Sequence, residues 1–135
     1  MQLGKNPVKD AITNKPRLFA IISVAIIAIL SLPVILPHVT HPSMIYHILL
    51  HIGSLIITIF LSTVSILAYN RTGSIRVLLM AAGFLSLVGV EFLSLFAATE
   101  NLVLFTIPSV NVELSHIFLL GMLTLFGLGV LKVDK

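Results

Sequence analysis

The stretch MIYHILLHIGSLIITIFLSTVSILAY, Met44 to Tyr69, decides the fold. It is apolar from end to end and carries no Lys, Arg, Asp or Glu. A helix crosses the ~30 Å of membrane hydrocarbon in roughly 20 residues at ~1.5 Å each, and this run is long enough to do so. It shows no strict alternation and exceeds the length of a barrel strand, so a helix is the reading. Three more runs of the same kind flank it: Leu18 to Leu36, with Pro33 near its end, Ile75 to Ala98, and about Val112 to Leu131. The sequence thus predicts an all-α protein, a four-helix transmembrane bundle with spans 18–36, 44–69, 75–98 and 112–131. A tail covers 1–17 and another 132–135.

Composition agrees. Of the 135 residues 58% are hydrophobic and 10% charged, with a mean hydropathy of +1.15. A soluble domain carries about 25% charged residues. Lipid is the partner such a surface requires, and one small membrane domain is the expected organisation. The absence of Cys excludes disulfides, thiolate metal sites, iron–sulfur clusters and covalent haem attachment. No phosphate loop, nucleophile arrangement or nucleic-acid patch is present. The first run has a basic start, but it is longer than a signal-peptide core and no small-x-small cleavage pattern follows it, so a retained span is expected.

The charges orient the chain. Lys5, Lys9, Lys15 and Arg17 precede span one, Arg71 and Arg76 flank the turn between spans two and three, and Lys132 and Lys135 follow span four. All eight basic residues fall on one side, which the positive-inside rule makes cytoplasmic. Short loops then give up-down-up-down neighbours with both termini inside. The Asn70 glycosylation triplet faces the cytoplasm in this topology and reads as chance. The apolar loop NLVLFTIP, 101–108, is suited to the headgroup layer or a partner subunit.

The five histidines and the three glutamates all fall on the other side. His38, His41 and Glu100 belong to the outer loops, where the His38–His41 pair could take up copper or zinc. His47 and His51 occupy the first turns of span two, Glu91 lies near the outer end of span three, and Glu113 and His116 open span four. Counting residues puts His51 and Glu91 about 10 Å, and His116 about 6 Å, below the outer boundary. Positions 47, 51, 54, 58, 62, 65 and 69 of span two are His, His, Ser, Thr, Ser, Ser and Tyr, one helical face expected to point into the bundle. Glu91 and Ser94 share a face with Gly83 and Leu87. Glu113, His116, Leu120, Thr124 and Gly127 share another. Close packing with weak interhelical hydrogen bonds is the plain expectation for the Ser, Thr and Gly positions.

An acid at membrane depth costs a few kcal/mol, so it pairs or serves a function. A Glu91–His hydrogen bond that locks helices is one outcome. The other is a ligand set of His51, Glu91, His116, His47 and Glu113, whose nitrogen and oxygen donors suit zinc, copper or non-haem iron. His47 and His51 stand at i, i+4, so both can face one ion. A Glu-x-x-His pair occurs once, at Glu113 and His116, where a di-iron bundle needs two. A b-type haem between His51 and His116 would need an apolar slot between spans two and four. A proton, quinone or small-ligand path is a further use of the same groups.

The segment AYNRTGSIRVLLMAAGF, Ala68 to Phe84, with Glu91 and His116 beyond it, resembles an uncharacterised family of small archaeal four-helix membrane proteins with a Tyr-x-Arg-Thr-Gly-Ser turn. The resemblance spans about residues 45 to 131, at His51, Arg71, Thr72, Gly73, Ser74, Arg76, Glu91 and His116. It implies an archaeal source and a compact bundle, and it carries no function. Physically, Gly73 ends one helix, Ser74 caps the next, and the arginines anchor the interface. Size, topology and the outer His/Glu cluster are also similar to small accessory subunits of archaeal membrane complexes such as ammonia monooxygenase or the respiratory oxidases. Two functions follow as expectations. One is a non-catalytic subunit packed against larger membrane partners. The other is a bundle holding copper, zinc or haem b for electron transfer or metal handling.

Overall fold

The structure is a computed structural model, which describes residues 13–38, 42–99, 106–107 and 112–132. Its helices are α1 (Lys15–Leu30), continued by a π-helical turn (Ser31–Ile35) and α2 (Leu36–His38), then α3 (Pro42–Thr72), α4 (Ile75–Ala98) and α5 (Leu114–Leu131). Four are long and apolar enough to span a membrane: α1 with its π turn, α3, α4 and α5. They are spans one to four below. Span three has the bounds the sequence predicts. Span two is longer by a few residues at each end.

Local chemistry explains the ends. Asn14 accepts the Arg17 N–H at 3.3 Å and Pro16 occupies the first turn, so α1 starts where a cap and a pre-set φ coincide. Pro33 lacks an N–H, and the helix around it widens into the π turn, closed by the Leu36 N–H on the Ser31 carbonyl. Span two ends at Gly73, whose φ of 64° is the left-handed conformation that glycine adopts without a Cβ penalty. Its N–H bonds the Tyr69 carbonyl at 2.8 Å. Ser74 takes the N-cap position of α4 but makes no side-chain cap bond, so the expected serine cap is one of backbone shape only.

Packing runs between sequence neighbours: span one on two, two on three, three on four. The core joins the first two of these contacts. Ile26, Leu30 and Val34 of span one meet Ile48, Ile52, Leu55 and Ile56 of span two, with Leu95 of span three closing the cluster. Phe19 and Phe60 add an edge-on ring contact, 5.2 Å between centroids. Spans three and four meet by a different route. Their glycines leave gaps that Phe rings fill: Phe126 over Gly83 and Phe118 over Gly89, while Gly129 lies against Leu79 and the Arg76 carbonyl. Large apolar side chains elsewhere are exposed on every span, as a lipid-facing surface requires.

Two details differ from the sequence reading. Val112 and Glu113 belong to a strand, not to span four. β1 (Thr106–Ile107) pairs with β2 (Val112–Glu113) in an antiparallel ladder, Thr106 opposite Glu113. The pairing gives backbone groups of these residues hydrogen-bond partners within the chain. And the polar face of span four is turned outward: His116, Leu120, Thr124 and Gly127 are all exposed. The bulky Phe118 and Phe126 take the inner face because they fit the span-three glycines, and the small and polar residues are rotated away from it.

Candidate functional site

The site is built on the histidine end of spans two and three, beside the core. Ile48 and Leu95, both at 0% exposure, lie a turn away from it on each helix. Span two is continuous through His47, His51 and Ser54, so the i, i+4 and i, i+3 spacing puts all three on one face. Span three presents Glu91 to that face.

Glu91 is engaged through both carboxylate oxygens. The Ser54 hydroxyl donates to Oε1 at 2.8 Å, and His51 Nδ1 meets Oε2 at 2.8 Å. The second contact is also an ion pair whenever His51 is protonated, with side-chain exposures of 17% for His51 and 16% for Glu91. An ionised carboxylate accepts only, so it requires Nδ1–H on His51. In the neutral tautomer this leaves His51 Nε2 as an acceptor. His47 Nε2 sits 3.2 Å from it, the rings edge to face with centroids 4.7 Å apart. The result is a chain of polar contacts, Ser54–Glu91–His51–His47, from the packed interior to the exposed His47.

Of the five expected ligands, His47, His51 and Glu91 come together. His116 is exposed on the first turn of span four, with Phe118 against Gly89 placing that turn beside the C-terminal part of span three. Glu113 stands one residue before the helix, in extended backbone, so the helical Glu-x-x-His relation with His116 is not formed. The Glu113 and His38 side chains, with His41 and Glu100, lie outside the described residues. Among the described residues no group of three His, Cys, Asp or Glu is arranged to hold a metal ion. The haem reading called for an apolar slot between His51 of span two and His116 of span four, whereas both His51 nitrogens here meet Glu91 and His47.

Ser54 is the participant that the sequence reading passed over as an anchor for Glu91. The signal was present: Ser54 is one turn from His51 on the same stripe. The rest of the stripe behaves differently from the expectation of interhelical bonds. Thr58 and Ser62 are buried, at 3% each, yet their hydroxyls bond carbonyls of their own helix. Thr58 donates to Ser54 and Leu55 oxygens, and Ser62 to that of Thr58 at 2.8 Å. A helical hydroxyl always has the carbonyl four residues back within reach, so it needs no partner helix. Likewise the face shared by Glu91 and Gly83 is split in use, Glu91 serving span two and Gly83 span four.

No family model, curated protein or solved structure matches this chain.

Proposed function

We propose that this chain is a small, non-catalytic subunit of a larger integral membrane assembly. Its spans alternate in direction, with both termini and all eight basic residues on the cytoplasmic side. The observation that supports the reading best is the outward polar face of span four. His116, Thr124 and Gly127 are exposed along one stripe of a helix with only 6% of its membrane window buried. Small residues on the same stripe allow a neighbouring backbone to approach closely. Glu91 of span three and His51 and Ser54 of span two are meanwhile spent on each other, which suits a structural role.

The test is the native mass of the affinity-tagged chain, extracted from its own membranes in mild detergent. The expected result is a stoichiometric complex with at least one different polypeptide. A photo-crosslinking residue at Leu120 should label that polypeptide, and one at Val24 of span one should not. A monomeric chain, or one that labels only lipid from Leu120, would refute the reading.

A second reading, metal handling in the outer half, rests on one specific contact. The facing Nε2 atoms of His47 and His51 are 3.2 Å apart. Two nitrogens at ~2.0–2.1 Å from one tetrahedral zinc ion are about 3.4 Å apart. Glu91 orients His51 from behind, as carboxylates do for metal-bound histidines. Two imidazoles leave at least two positions to water or to another subunit. Titration of the purified chain with Zn(II) or Cu(II) decides the matter. Stoichiometric binding that disappears in both His47→Ala and His51→Ala supports this reading, and its absence from the wild type rejects it.

A further inference from the structure

The opposite, basic end of the molecule carries a cavity of ≈ 200 Å³ between the start of span one and the end of span two. Its lining includes Lys15 from span one and Arg71 from span two, with Thr13 and Thr72 beside them. The rest of its lining is apolar: Leu18, Val64, Leu67 and Ala68. Leu18 is buried, at 8% exposure, while both cations are exposed. Two cations from different helices therefore line one recess whose remaining walls are largely hydrocarbon.

We propose that this recess binds the phosphate of an anionic phospholipid. The charge balance favours an anion. Lys15 and Arg71 contribute two full positive charges. The first turn of α1 adds about half a charge of the same sign, and the nearby carbonyl end of span two subtracts about half. Arginine adds a planar donor fork that matches phosphate oxygens. The apolar walls single out a lipid over a free anion, since they suit the glycerol and first acyl carbons below the headgroup. Size fits as well. The cavity is smaller than the ~300–1,000 Å³ typical of whole-cofactor sites, so it holds a headgroup whose chains leave along the helices into the bilayer. Basic recesses between spans on the positive side of a membrane protein are suited to such headgroups. The turn that ends span two fixes the Arg71 side of the recess: the Thr72 hydroxyl donates to the Ala68 carbonyl at 2.9 Å and Gly73 closes the helix.

The proposal is independent of the function assigned to the histidine end. Its test uses the full chain, purified in a neutral detergent and titrated with short-chain phosphatidylglycerol, short-chain phosphatidylcholine and inorganic phosphate in parallel. Binding is read by native mass spectrometry. Phosphatidylglycerol should bind one per chain and phosphatidylcholine should not. Each basic residue near a membrane surface contributes enough for about a fivefold change in affinity, so Lys15→Gln or Arg71→Gln should weaken binding about fivefold and the double variant about thirtyfold. Lys132→Gln, on the same side but away from the cavity, should change nothing. Helical content by circular dichroism verifies the fold of each variant. Retention of inorganic phosphate without preference for the lipid would reassign the same cationic site to a free anion and overturn the lipid assignment. Equal binding of the two lipids, or unchanged affinity in the double variant, would overturn the site altogether.

Discussion

Span three has two neighbours and joins them by opposite means. Toward span two it uses directed polar bonds, Glu91 held by His51 and Ser54 at 2.8 Å each. Toward span four it uses missing side chains, Gly83 and Gly89 receiving the rings of Phe126 and Phe118. Both solve the same problem. Between helices in lipid there is no hydrophobic force to exploit, because lipid tails are as apolar as leucine. Association then needs either hydrogen bonds or close fit. The polar contact fixes one level of the helix pair and leaves the rest of it to packing. The glycine contacts are spread along the helix, so they set the rotation and separation of the pair over several turns.

The comparison predicts a graded series of effects on unfolding free energy, measured in bilayer-mimicking micelles. The largest belongs to Gly83→Leu. A Cβ there would stand 2.9 Å from the Phe126 ring, and the remaining side chain has nowhere to go between the helices. Overpacking of this kind costs about 1–3 kcal/mol, and the upper end is expected. Crosslinks between spans three and four should weaken while those between two and three persist. If both pairs of spans loosen together, the two interfaces are one cooperative unit and the contrast drawn above fails.

Glu91→Ala comes next. It removes both polar contacts and should cost about 1–2 kcal/mol, given roughly 0.6 kcal/mol for an average interhelical hydrogen bond in a membrane and about 1.7 for the strongest. Glu91→Gln retains an oxygen acceptor and should lose about half as much. An equal loss in the two variants would show that the charge, and not the hydrogen bonding, matters.

A smaller effect separates Ser54 from Ser62. Ser54→Ala should cost about 0.6 kcal/mol because its hydroxyl crosses to span three. Ser62→Ala should sit near zero, since its hydroxyl bonds its own helix. A reversed order would mean that the stripe works through packing alone. The smallest effect is Gly127→Ala, where an added Cβ meets nothing within 4 Å. It should fall within about ±0.5 kcal/mol, as an isolated surface change does. In the native assembly the same substitution should be costlier, because the partner proposed for this face would lose its close approach.

Much of this was legible in the residues, and the parts that were not have identifiable causes. Run length located the four spans, since ~20 apolar residues is a property of bilayer thickness. Helical spacing put His47, His51 and Ser54 on one face, and counting from the ends put His51 and Glu91 at one level. Spacing did not say that Ser54 would reach Glu91 while Thr58 and Ser62 turned back to their own helix, because both options lie within reach of a helical hydroxyl. Nor did the polar pattern of span four predict which side would pack. There the rule that polar faces point inward lost to the fit of two phenylalanines into two glycine gaps. The strand at Val112–Glu113 was hidden for a similar reason: an apolar run continues through it, and only pairing with Thr106–Ile107 ends the helix.

The sequence by itself determined four helices long and apolar enough to span a membrane, the separation of the basic residues from the histidines along them, and the common level of His51 and Glu91. These follow from local quantities: hydropathy, length and charge, each readable one segment at a time. Tertiary structure alone decided who meets whom. It gave Glu91 to span two and Gly83 to span four, turned His116 outward, and left a cationic recess between Lys15 and Arg71. Those outcomes depend on the rotation of each helix about its axis, which is set by the summed fit of side chains from two helices at once.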